Sequence, residues 1–320
     1  MDLVSQEDLT NLVRLLELGQ DPNSSEAFHE TLSQFKNHPH FLFALLRIIA
    51  DQTLPIPLRF SAASIMRNNI DILQDPNLID QFIHEAQANL LYVLRLPPSY
   101  FVREIAALVA CIYLYYYNNR TNLRGFADLN TPLSEIIQIP ELCENALDFG
   151  IELSSVKYTL NTTFVSFLPN FIIGEFSEKA IYLCSLLYLH TNLLHSTVIP
   201  ILFQHLEQLS PNAIASTCRI VKNVLWDQRS QPLIDFAIMC LLNPNDNVAF
   251  EAIEIFEYIE LIPYQNEIVV SIFRRLGNDF DLTVANVSTS CLRLLRKYYL
   301  NHRDKAEPVL LQLLQTSTED

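Results

Sequence analysis

The chain has 320 residues, with 21 Lys or Arg against 36 Asp or Glu, and its net charge of −15 repels phosphate backbones and anionic lipid surfaces and favours basic partners. No nucleic acid and no membrane is expected as a ligand. Only five residues are glycine, against a usual share of about 7%, so turns, bulges and phosphate-cradling loops of most all-β and nucleotide-binding folds lack raw material.

The opening, Met1 to Thr10, carries Asp2, Glu7 and Asp8 and no apolar run, so no secretory signal and a reducing compartment are expected. The cysteines at 111, 143, 184, 218, 240 and 291 agree with this. Their closest spacing is 240 − 218 = 22 positions, which leaves no CxxC or zinc-ribbon pattern, so they read as buried, reduced thiols.

Apolar residues recur at spacings of three and four, from Leu12, Leu15 and Leu16 through Phe28, Leu32 and Phe35 onward, with little strict alternation. That predicts an all-helical chain. Prolines punctuate it at Asp21-Pro22, His38-Pro39, Leu54-Pro55, Asp75-Pro76, Pro97-Pro98, Thr131-Pro132, Ser210-Pro211, Asn243-Pro244 and Ile262-Pro263. Proline suits the first turn of a helix and ends the one before it, so helices of about 15 to 20 residues joined by short turns are expected.

Taken in chain order, the helices pair over 6–37, 38–73, 75–117, 124–157, 160–192, 196–226, 229–260 and 263–300, with an unpaired helix over 303–316. A pair of about 40 residues has the period of HEAT or armadillo repeats. The predicted fold is therefore all-α: a HEAT-repeat, right-handed superhelical solenoid of about eight helix pairs forming a single array over 1–320. Val309, Leu310, Leu311, Leu313 and Leu314 would leave the last helix with an open apolar flank.

Ala180 to Leu206 carries no formal charge, but His190, Thr191, Asn192, His195 and Pro200 interrupt it, which favours two amphipathic helices over a membrane span. Early in second helices stand Arg59 and Arg103, either as bridges between neighbouring pairs or as solvent-facing side chains. Tyr113, Tyr115, Tyr116 and Tyr117 cover more than one helix face, so some rings must be exposed, for helix packing or a phenylalanine-repeat contact. Trp226 reads as a core residue.

Catalytic signatures are absent: no G-x-x-x-x-G-K-[ST], no G-x-S-x-G and no H-E-x-x-H. His38-Pro39-His40 has no third ligand nearby, so no metal, no cofactor and no enzymatic role are expected. The series Glu251, Glu254, Glu257 and Glu260 turns by about 60° per step on a helix. Glu251 and Glu254 thus share a face while Glu260 points away, and Asp246 sits where it can cap. The face reads either as a solvated surface or as a contact for a basic partner.

Two segments carry a family resemblance. Arg59-Phe60-Ser61-Ala62-Ala63-Ser64-Ile65-Met66-Arg67-Asn68-Asn69 resembles the opening of the β-karyopherins, the importin-β family, where an arginine-led helix ends in a hydrophobic-Leu-Lys-Asn signature. Asn245-Asp246-Asn247-Val248-Ala249-Phe250-Glu251-Ala252-Ile253-Glu254-Ile255-Phe256 is similar to the acidic helix of the seventh repeat of transportin and importin-β. The segments 268–276 and 283–299 resemble the eighth repeat of transportin.

The resemblance implies an importin-β N-terminal-like region over 1–117, middle repeats over 118–245, and repeats like transportin's seventh to ninth over 246–320. It further implies a nuclear import receptor arch that shuttles between cytoplasm and nucleus and binds the small GTPase Ran in its GTP form. Met66, Arg67, Asn68 and Asn69, with Asp246, Glu251 and Glu254, are the Ran-binding residues it points to. Phenylalanine-repeat nucleoporins remain a further partner, and import cargo would need C-terminal repeats that this chain lacks. The short Gly277-Asn278-Asp279-Phe280-Asp281 stands where transportins carry a long acidic loop. The alternative is a HEAT scaffold subunit of a stable complex with no Ran dependence.

Overall fold

The computed structural model describes residues 4–38, 40–119, 128–227, 230–258, 268, 270–272, 285–301, 303, 307–308 and 311. Among them every regular element is helical and none is a strand. The fold is all-α, with helices packed on their neighbours in HEAT-like pairs as expected. The chain divides into two compact units, Met1–Phe167 and Leu168–Asp320.

The first unit holds α1 (Gln6–Leu18), α2 (Ser25–Lys36), α3 (Phe41–Ala50), α4 (Ile56–Arg67), α5 (Pro76–Leu90), α6 (Tyr100–Asn119), α7 (Asn130–Ile136), α8 (Cys143–Ser155) and α9 (Thr162–Val165). Their starts are encoded locally. The Ser5 hydroxyl accepts from the Asp8 amide at 3.1 Å, and Asp75, just before Pro76, accepts from the Asn77 amide at 2.8 Å. Each supplies a partner that the first turn of a helix otherwise lacks. Several helices are shorter than the expected 15 residues, because these caps and short 3-10 turns consume chain between them.

Eight of the ten residues of α3 are buried, which requires neighbours on several sides: α1, α4 and α5 supply them. The second helices form a row in which α4 packs on α6 and α6 on α8. Tyr113 and Tyr116 are buried in it, while Tyr117 is 56% exposed.

Buried polar side chains close helix ends that the backbone leaves open. Arg59 Nε donates to the Ile49 carbonyl at 2.9 Å, near the end of α3; the guanidinium also meets the Tyr92 hydroxyl and lies 4.6 Å from the centre of the Phe101 ring. Arg59 therefore bridges neighbouring pairs rather than facing solvent. Asn145, wholly buried on α8, donates from Nδ2 to the Leu94 and Leu96 carbonyls at 3.1 and 2.7 Å. Carbonyls of a last turn have no partner within their own helix, and leaving them dry would cost about 1 to 3 kcal/mol each.

Ion pairs tie the same row together. Arg67 Nε meets Glu104 at 3.0 Å between α4 and α6, and Arg103 meets Glu144 at 3.0 Å and Asp148 at 3.2 Å between α6 and α8. The hydrogen bond to Glu144, then the charge of Asp148, holds the Arg103 guanidinium above its ordinary value. Burial pushes the carboxyls of Glu104 and Glu152 up, and the Arg67 guanidinium only partly opposes this.

The second unit holds α10 (Ser177–Leu186), α11 (Thr191–Leu193), α12 (Ile199–Gln204), α13 (Pro211–Asp227), α14 (Gln231–Leu241), α15 (Asp246–Tyr258) and α16 (Ala285–Asn301). In its row α10 packs on α13, α13 on α15 and α15 on α16. The uncharged stretch from 180 to 206 forms two segments bent by 85°, and among the described residues no single helix is long and apolar enough to cross a membrane. A π-turn over Leu194–Val198 precedes Pro200, whose missing N–H cannot bond four residues back. The pair expected over 160–192 is reduced to α9, a 3-10 turn over Leu168–Phe171 and α10, because Pro169 and the left-handed Gly174, at φ 106°, break its first helix.

Of the helix expected over 303–316 only residues 303, 307–308 and 311 are described, and they are helical; the Gly277–Asp281 segment, Glu260 and the Trp226 side chain lie outside the described residues.

Two stability predictions follow from the first row. Arg59→Lys keeps a charge but loses the forked donors, and is expected to lower stability by about 2 kcal/mol in urea unfolding; an unchanged midpoint would show that the contacts to Ile49 and Tyr92 contribute nothing. Glu152 binds its proton more tightly folded than unfolded, so its favourable contribution exists below the ordinary value of 4.5 and is lost as pH rises through the raised value. Glu152→Gln should therefore raise the unfolding midpoint at pH 7 and leave it unchanged below about pH 4, as read by thermal melts at both pH values.

Candidate partner-binding surface

The residues singled out from the sequence fall in two places, one in each unit. In the first, α4 ends at Arg67, and its last turn closes through Asn68 and Asn69 amides donating to the Ser64 and Met66 carbonyls at 3.2 and 3.0 Å. Asn69 also turns its side chain back, Nδ2 donating to the Ile65 carbonyl at 2.6 Å. Met66 is fully buried and anchors the turn, so it presents no surface to a partner. Asn68 is exposed, and Arg67 is held by Glu104.

In the second place, Asn245 caps α15: its Oδ1 accepts from the Asn247 and Val248 amides at 3.1 and 3.3 Å. This corrects the expected cap, Asp246. Asn245 stands one residue earlier, where a side chain reaches the second and third open amides; Asp246 occupies the first helical position, where its charge still favours the amide-rich end.

Glu251 and Glu254 do share a face, but that face is turned toward α13. Arg219 meets Glu251 at 2.5 Å and Lys222 meets Glu254 at 3.2 Å. Glu257 continues the line, meeting Arg293 of α16 at 3.6 Å, while the Lys297 ammonium donates to the Glu257 carbonyl at 2.7 Å. The Glu251 hydrogen bond is the largest influence holding the Arg219 guanidinium up. The Glu251 side chain is only 14% exposed against 42% for Arg219, so the cation covers the carboxylate.

The acidic series is thus one half of an interhelical ladder. Sequence reasoning missed Arg219 and Lys222, although a signal existed: both pairs are separated by 32 positions, and each helix places its two members three residues apart. Two stripes of opposite sign, in the same register one repeat apart, are what a paired ladder looks like in a sequence.

Among the described residues no group of three or more His, Cys, Asp or Glu could hold a metal ion. Five of the six cysteines are buried, and burial pushes the Cys184 thiol up to about 12, where it is no nucleophile.

A comparison with family models matches residues 29–77 to the Importin-beta N-terminal domain. The matched segment runs from within α2 through α3 and α4 to the first turn of α5, and contains Met66, Arg67, Asn68 and Asn69. No curated protein matches the chain. What the comparisons show is a likeness of this one segment, residues 29–77, to the Importin-beta N-terminal domain.

Proposed function

We propose that the chain is a nuclear transport receptor of the importin-β type, close to transportin, which binds Ran in its GTP form during nuclear protein import. The observation that carries this reading is the match of residues 29–77 to the Importin-beta N-terminal domain, on a chain whose described helices pair in the HEAT-like manner. The proposed protein is a binding receptor, not an enzyme. It shuttles between cytoplasm and nucleus, with phenylalanine-repeat nucleoporins as further partners.

Two patches carry the proposed GTPase contact. The first is the end of α4, where exposed Asn68 supplies an uncommitted amide beside Asn69 and Arg67 on a turn fixed by buried Met66. The second is Asp246, Glu251 and Glu254, facing a basic surface of the partner. Because Arg219 and Lys222 already hold the two glutamates, a basic partner gains Coulomb energy there only by exchanging with them. The patch therefore contributes to encounter more than to holding the complex.

Surface plasmon resonance against Ran loaded with each nucleotide tests the proposal. Binding is expected with GTP and not with GDP. Asn68→Ala should speed dissociation about tenfold, the effect of losing one well-placed interfacial side chain. Lys222→Gln should speed association at low salt by freeing Glu254, and Glu254→Lys should slow it. Equal affinity for the two nucleotide forms would instead favour a HEAT scaffold subunit with no Ran dependence.

A further inference from the structure

We propose that a groove in the second unit, running across α10, α13 and α15, is a docking site for an extended acidic peptide segment. The cavity has a volume of about 340 Å³ and is lined by Tyr182 from α10, Asn212 and Arg219 from α13, and Asn247, Phe250 and Glu251 from α15. The inference stands on this groove alone and does not depend on the GTPase reading.

Three features select the occupant. Arg219 opens into the groove: its side chain is three times as exposed as that of Glu251 beneath it, and a guanidinium has five N–H donors, of which the pair with Glu251 uses one. A carboxylate can therefore take a forked contact without breaking the interhelical pair. Asn212 and Asn247 are exposed second residues of helices 17 and 13 residues long, so their amides sit beside two helix ends that favour negative charge and can pair with the backbone of an extended chain. Tyr182 and Phe250 stand exposed in the walls, ready to cover an apolar side chain.

The net charge of −15 does not decide against an acidic ligand. Charges more than about 8 Å away are largely screened at physiological salt, and the one carboxylate in the groove's lining, Glu251, is paired with Arg219.

Fluorescence anisotropy of the full chain with a labelled peptide Gly-Glu-Leu-Glu-Leu-Glu-Gly tests this, with peptides in which Gln or Lys replaces Glu as controls. The Glu peptide is expected to bind saturably and more weakly as salt rises, and the controls are expected not to bind. Arg219→Lys, which preserves the charge pair with Glu251 but removes the fork, should weaken binding about tenfold, and Phe250→Ala should do the same. Glu251→Gln should tighten it, because it releases the remaining guanidinium donor, an outcome that a merely structural arginine would not give. No saturable binding at low salt, tighter binding of the Lys peptide, or equal affinity in all three variants would overturn the proposal. Loss of GTP-dependent Ran binding alongside intact peptide binding would sink the transport reading and leave this one standing.

Discussion

A pair of short amphipathic helices cannot bury its apolar faces by itself, so each pair here is stable only against its neighbours. Apolar contact between helices is permissive about sliding. What fixes the alignment is a charge pair between successive second helices: Arg67 with Glu104, Arg103 with Glu144 and Asp148, Arg219 with Glu251, Lys222 with Glu254 and Glu257 with Arg293. In these pairs the cation is generally the more exposed member, most clearly at Arg103 and Arg293. A long, amphipathic side chain can lay its stem over the next helix while its head stays in contact with water.

That arrangement changes what the overall charge means. A chain with 15 excess negative charges suggests an acidic face waiting for a basic partner, yet the most conspicuous acidic stripe, on α15, is matched by cations from α13 and α16. Steering by a charged surface depends on what stays uncompensated within a screening length of about 8 Å. In these pairs the more outward member is the guanidinium or ammonium group, so the charge of this stripe is set by local pairing and not by composition.

A quieter constraint acts at the ends of the first helices. Arg59 and Asn145, both buried, spend their donors on carbonyls of a preceding helix end. These side chains come from different residue types at different heights, but each answers the same open acceptors. They allow first helices to stop short inside the protein, where water cannot serve them.

The sequence by itself determined the helical class, the packing in neighbouring pairs and several helix starts, because these rest on short-range physics: apolar spacing of three and four, prolines at first turns, and polar caps such as Ser5 and Asp75. It also marked the arginine-led helix from Arg59 to Asn69, which lies inside the segment that matches the Importin-beta N-terminal domain. Tertiary structure decided the rest. That Met66 is core and Asn68 surface, that Asn245 and not Asp246 caps α15, and that Glu251 and Glu254 are already paired could not be read locally. A carboxylate on an amphipathic helix looks the same whether it faces water or a guanidinium 32 positions away, and only the packing of one helix on another sets which of the two it meets.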